Sequence, residues 1–111
     1  MKNTATNYRE PHHVMLVFEA GADALQNNEC VLKDRSAYYQ QLKEQKKALF
    51  YGDFWNQNKE FIIVHIESAT ELEEIIDNDP GLKHEIVELV RAMPFTLEES
   101  FEQAIQEQAY G

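Results

Sequence analysis

The stretch "EFIIVHIESATELEEIIDNDPG", Glu60–Gly81, decides the fold. Its first eight residues, Glu60–Glu67, are rich in β-branched and aromatic types and read as a strand. Alternation puts Ile62, Val64 and Ile66 on one face and Phe61, Ile63 and His65 on the other. Ser68 follows, with Glu71 three residues on, the spacing of a capping box that opens a helix. Leu72, Ile75 and Ile76 then recur at helical spacing. Asp79-Pro80-Gly81 interrupts the pattern. A strand with one wholly aliphatic face that leads into an amphipathic helix calls for helices packed on a sheet.

Working outward gives the remaining elements. "ALFYGDFW", Ala48–Trp55, reads as a strand and "NQNK" as the turn joining it to Glu60–Glu67, so the pair is a predicted hairpin. Before it, Tyr38 and Leu42 lie four apart, and Asp34 or Ser36 is suited to cap, which predicts a helix over about Asp34–Lys47. "VMLVFE", Val14–Glu19, is a compact apolar strand, and "AGADALQNNE" after it reads as a loop. Beyond Gly81, "LKHEIVELVRAMPF" reads as a short helical turn and then a strand over about Glu88–Phe95. Thr96 with Glu99, followed by Phe101, Ala104 and Ile105, predicts a last helix over about Leu97–Ala109. The order β-α-β-β-α-β is the ferredoxin-like α+β plan: a four-stranded antiparallel sheet with helices on one face, here with an extra C-terminal helix. Residues 1–12 read as a flexible polar leader and 13–111 as one domain.

Composition narrows the function. Ten basic against twenty acidic residues give a formal charge of −10, which repels nucleic acid and anionic membranes alike. No apolar run approaches the roughly 20 residues of a membrane span, and the N-terminus lacks the apolar segment of a secretion signal. Cys30 is the one cysteine, so no intramolecular disulfide is possible. Such a lone thiol suits a reducing cytoplasm.

Order and local motifs together resemble the YciI-like family of the dimeric α+β barrel superfamily. The resemblance rests on the strand "HVMLVFEA", the Arg-opened helix "RSAYYQQLKEQKKALFYGDF", "FIIVHIES" leading into a Ser-capped helix, "DNDP" at its end, and a last strand ending "MPF". It covers roughly Val14–Phe95. It implies a homodimer whose sheets pack face to face, and a small-molecule pocket. It also implies an acid–base pair between a histidine of the first helix and the aspartate of the Asp-Pro motif, Asp79. Here Tyr38 stands at the histidine position, with Tyr39 beside it. An unperturbed tyrosine titrates at about 10 and is a poor base near neutrality.

Strand alternation leaves one sheet face oily and gives the other a titratable set: Glu19, Asp53, His65 and Arg91, with aromatics such as Tyr51 nearby. Such a mixture marks a ligand pocket. His65 is the leading proton-transfer candidate, since imidazole titrates near neutrality; the plainer role is a structural histidine bonded to a carboxylate. Asp79 is first a helix cap, being followed by Pro80 at the first helical position. The expected catalytic set is His65, Asp79 and Tyr38. The expected substrate contacts are Arg91, whose fork suits a carboxylate, with Tyr51, Asp53 and Glu19. Arg91 serves equally as an ordinary surface ion pair. His84 reads as peripheral. His12 and His13 point to opposite faces, and no spacing supports a metal site with them, so neither metal nor cofactor is expected.

Three functions compete. The first is a YciI-like small-molecule-binding protein, an enzyme of proton transfer, isomerisation or hydrolysis on a small organic acid or aromatic metabolite. The second is a non-catalytic dimeric module that lacks the family's helix histidine. The third is a monooxygenase-like member of the superfamily. Convergence of Tyr38, Asp79 and His65 on one cavity favours the first; Asp79 as a cap and Tyr38 in the core favour the second.

Overall fold

The computed structural model describes residues 12–21, 26–54 and 57–96. The predicted C-terminal helix, the leader up to Pro11, and Trp55 lie outside them. The elements are β1 (His12–Ala20), α1 (Glu29–Glu44), β2 (Ala48–Asp53), β3 (Lys59–Ile66), α2 (Ala69–Asp77), α3 (Pro80–Lys83) and β4 (Val87–Phe95). The sheet runs β2-β3-β1-β4 with every neighbouring pair antiparallel. This is the ferredoxin-like α+β arrangement, with the helices on one face of a four-stranded sheet.

The helix-side core is the aliphatic set of the central strands. Val14, Leu16, Phe18, Ile62, Val64 and Ile66 are all buried, with Leu42 and Ile75 packed on them from α1 and α2. Fully burying each such side chain contributes about 1.5–3 kcal/mol. Among the described residues, no helix packs on the opposite face. Phe50 is 66% exposed and Met93 is 36% exposed there.

Two of the sequence-marked caps form, at Ser68 and at Asp79; the cap expected at Asp34 or Ser36 does not, because the helix starts earlier, at Glu29. Ser68 accepts from the Glu71 N–H at 3.1 Å, and Glu71 reaches back to the Glu67 N–H at 2.8 Å. Asp79 Oδ1 accepts from the Gly81 N–H at 2.7 Å. Both α1 and α3 end by passing a non-glycine residue through the left-handed region, Lys46 at φ 65° and Glu85 at φ 57°. In each case the next amide closes back onto the helix, Lys47 to the Leu42 carbonyl and Ile86 to the Gly81 carbonyl, both at 2.8 Å.

Two expectations are corrected, the start of the first helix and the face of Asp53. Helix α1 starts at Glu29, five residues before Asp34, because Val31 and Leu32 pack against the core and extend the helix towards β1. The pairing of β2 with β3 shifts between Ala48 and Phe50, so Tyr51 faces Ile62 and Asp53 faces Glu60. Asp53 therefore lies on the helix side of the sheet, apart from His65. The pairing of β1 with β4 shifts between Val17 and Phe18. Leu89 therefore pairs with Phe18 and packs on the core, while Arg91, Met93 and Phe95 pair with Val17, Met15 and His13 on the uncovered face. An extra residue in one strand reverses the facing of everything beyond it.

Candidate functional site

Arg35 is the centre of the site. With α1 beginning at Glu29, Arg35 falls in the helix interior on the face that meets the sheet, and only 7% of it is exposed. Its guanidinium carbon lies 4.7 Å from the Phe18 ring centre and 5.3 Å from that of Tyr39. Two aromatic faces thus flank a delocalised cation, a favourable arrangement.

Two carboxylates from distant parts of the chain hold the guanidinium. Nε donates to Asp79 Oδ1 at 2.9 Å and to Oδ2 at 3.2 Å. Nη1 pairs with Glu60 of β3. Burial alone would lower the Arg35 pKa, but the Asp79 and Glu60 charges outweigh it and the pKa rises. The arginine is a permanent cation in this site.

Asp79 is fully buried and serves several partners. It caps α3, accepts from Arg35, and accepts the Tyr39 hydroxyl on Oδ2 at 2.6 Å. The aspartate is accordingly both a helix cap and the anchor of the arginine. Gly81 makes room for this. A β-carbon at Gly81 would stand 2.7 Å from Arg35 Cδ and 2.9 Å from Nε.

One guanidinium nitrogen is left over. Arg35 Nη2 is buried and has no hydrogen-bond partner among the described residues. Leaving such a donor unpaired costs about 1–3 kcal/mol or more for a charged group. Arg35 borders a cavity of about 640 Å³ between α1 and the β2-β3 side of the sheet. Apolar walls come from Leu32, Ala48, Ile62 and Val87, and polar groups from Tyr39, Tyr51, Asp53 and Glu60. The Tyr51 hydroxyl lies 3.0 Å from Glu60 Oε1 and 3.4 Å from Asp53 Oδ1. Burial and the neighbouring Glu60 raise the Tyr51 pKa; burial and Asp79 raise that of Tyr39. Both hydroxyls stay protonated at physiological pH.

The sequence-predicted residues divide between two places. Tyr51, Asp53 and Glu19 line the cavity, and Asp79 stands behind Arg35. Tyr38 is turned away from it. Its hydroxyl donates to the Ile75 carbonyl at 2.7 Å, and burial followed by the Asp79 charge raises its pKa to about 12. His65 lies on the uncovered face, opposite His13 in the β1-β3 pairing, with ring centres 5.2 Å apart. Arg91 is exposed on that same face. The expected grouping of His65 with Tyr38 and Asp79 in one cavity is thus corrected, because the sheet stands between them. So is the expected place of Arg91 among the groups that contact ligand beside Tyr51 and Asp53.

Arg35, Tyr39 and Glu60 are the residues that sequence reasoning passed over. Their signal was present: Arg35, Tyr39 and Leu42 lie at i, i+4 and i+7, one stripe of a helix. Among the described residues, no group of three or more His, Cys, Asp or Glu is placed to hold a metal ion.

No protein-family model and no curated protein matches the chain. Solved structures do. The 5-chloro-2-hydroxyhydroquinone dehydrochlorinase TftG of Burkholderia phenoliruptrix AC1100, in complex with 2,5-dihydroxybenzoquinone, superposes with a TM-score of 0.56 at 19% identity, over 77% of this chain and 93% of its own. The protein YjcS superposes with a TM-score of 0.56 at 9% identity, over 80% of this chain and 100% of its own. MupZ of Pseudomonas fluorescens gives 0.50 at 17% identity, over 91% and 84%. Identities this low speak for fold and not for activity. In fold, then, the chain is like these proteins: a four-stranded antiparallel sheet with helices on one face, the ferredoxin-like α+β arrangement.

Proposed function

We propose that this chain binds a small molecule in the cavity beneath α1, and that it does so as a homodimer joined through the uncovered sheet face. The observation that carries the binding proposal is the buried Arg35, whose Nη2 lacks a partner among the described residues while the side chain borders the cavity. A structure that holds a cation with two carboxylates and two rings, yet leaves one donor unpaired, is organised for an acceptor from outside. Similar folds that handle small molecules, such as the quinone-bound dehydrochlorinase, agree with this. Tyr38 and Asp79 are committed to the fold and His65 lies across the sheet, so binding is the better-supported role than acid–base catalysis by those three.

The dimer rests on Phe50, Ile63, Met15, Met93 and Phe95, apolar side chains on a face that no helix covers among the described residues. Light scattering is expected to give twice the chain mass. For the cavity, the test is a thermal-shift screen of small neutral and anionic aromatics on wild type and on Ser36→Trp. Ser36 is exposed on α1 and lines the cavity, so the indole blocks it without disturbing the core. Ligands that stabilise wild type should fail on the variant. Equal stabilisation of both would place binding elsewhere and overturn the proposal.

A further inference from the structure

The charges around Arg35 identify the class of ligand, an inference that rests on the cavity being the binding site. A lone buried arginine usually suggests an organic anion, since its fork matches a carboxylate. Here that role is already filled from within the chain. Asp79 takes Nε and Glu60 takes Nη1. Asp53 stands next to Glu60, bridged by the Tyr51 hydroxyl. One guanidinium is therefore already paired with two carboxylates, and one of these, Glu60, stands on the cavity wall with Asp53. An anion reaching Nη2 would come close to Glu60 with little water between them, and like charges in a partly buried site repel strongly. The remaining cavity cations, Lys43 and Lys59, are not buried, so their attraction is screened.

A neutral ligand meets no such obstacle. Nη2 asks for an acceptor that is not charged, such as a carbonyl or ether oxygen. Glu60 and Asp53 have carboxylate oxygens to receive hydroxyl protons. Leu32, Ala48, Ile62 and Val87 cover an apolar body. We infer that the cavity takes an uncharged hydroxy-carbonyl compound, its carbonyl oxygen accepting from Arg35 Nη2 and its hydroxyl donating to Glu60 or Asp53, and that it rejects the corresponding carboxylate.

The test is a matched pair, para-hydroxyacetophenone and para-hydroxybenzoate, which share ring, hydroxyl and carbonyl and differ in a methyl against an ionised oxygen. Calorimetric titration at neutral pH is expected to show the ketone binding at least about tenfold tighter, a difference of 1.4 kcal/mol. In Glu60→Gln the wall loses one charge, and the acid should gain on the ketone. The acid binding as tightly as the ketone or tighter, with that affinity lost in Lys43→Gln/Lys59→Gln, would overturn this inference and leave the cavity as a binding site. Neither probe binding wild type, or both binding Ser36→Trp unchanged, would overturn both readings.

Discussion

Arg35 Nε and Asp79 Oδ1 lie 2.9 Å apart, although the two residues are separated by 44 positions, one inside α1 and the other capping α3. Asp79 is fully buried, so this ion pair fastens α3 to α1 from the inside. Breaking a buried pair by removing one partner leaves an uncompensated charge and costs about 3–5 kcal/mol. Asp79→Asn keeps the shape and an acceptor for the α3 cap but removes the charge. Chemical denaturation should show a loss in that range. A loss below about 1 kcal/mol would mean that the pair carries little of the fold.

Gly81 sets how closely α3 approaches Arg35. The nearest atoms to an added β-carbon are Arg35 Cδ and Nε, a shaft that cannot swing away because Asp79 and Glu60 hold its end. Gly81→Ala is therefore expected to destabilise by about 1–3 kcal/mol, although alanine is the better helix former. A neutral or stabilising outcome would show that the guanidinium is free to shift.

Tyrosines 38, 39 and 51 all have raised pKa values, from burial and then from nearby carboxylates. A raised folded pKa means that the native state keeps its proton where the unfolded state has lost it. Stability is then intact below the unfolded value of 10.0 and falls as pH rises, being lost for Tyr38 by about 12. A spectrophotometric titration should show these three phenols ionising together with unfolding, above pH 10.0. Ionisation of all five tyrosines near pH 10 with the fold intact would contradict this.

His13 behaves in the opposite sense. Burial and then the neighbouring His65 lower its pKa from 6.5, so the unfolded state binds the proton more readily. This contribution is complete above pH 6.5 and is lost as pH falls below it. The thermal midpoint should drop on acidification through that region, and His13→Gln should flatten the slope. An unchanged slope in the variant would remove His13 as the cause.

The fold was largely legible in the sequence, and the reasons are local. Ile62, Val64 and Ile66 alternate cleanly, Ser68 and Glu71 keep capping spacing, and Asp79-Pro80 opens a helical turn. The site was less legible because two shifts of pairing, at Leu49 and at Val90, reverse the facing of the residues beyond them. Neither position carries a glycine or proline to mark it. Arg35 was hidden by the start of α1: read from Asp34, it is a solvated residue of the first turn; read from Glu29, it is an interior one. The start depends on Val31 and Leu32 meeting the core, which is a tertiary fact.

The proposed ligand site lies at Arg35 beneath α1 and not on the opposite sheet face. An NMR titration with para-hydroxyacetophenone tests it most directly, following the Arg35 guanidinium protons together with the Met15 and Met93 methyls. The Arg35 Nη2 protons are expected to shift on binding, with the Nε proton still bonded to Asp79 and the two methyls unmoved. Shifts confined to Met15 and Met93, with Arg35 unchanged, would contradict it.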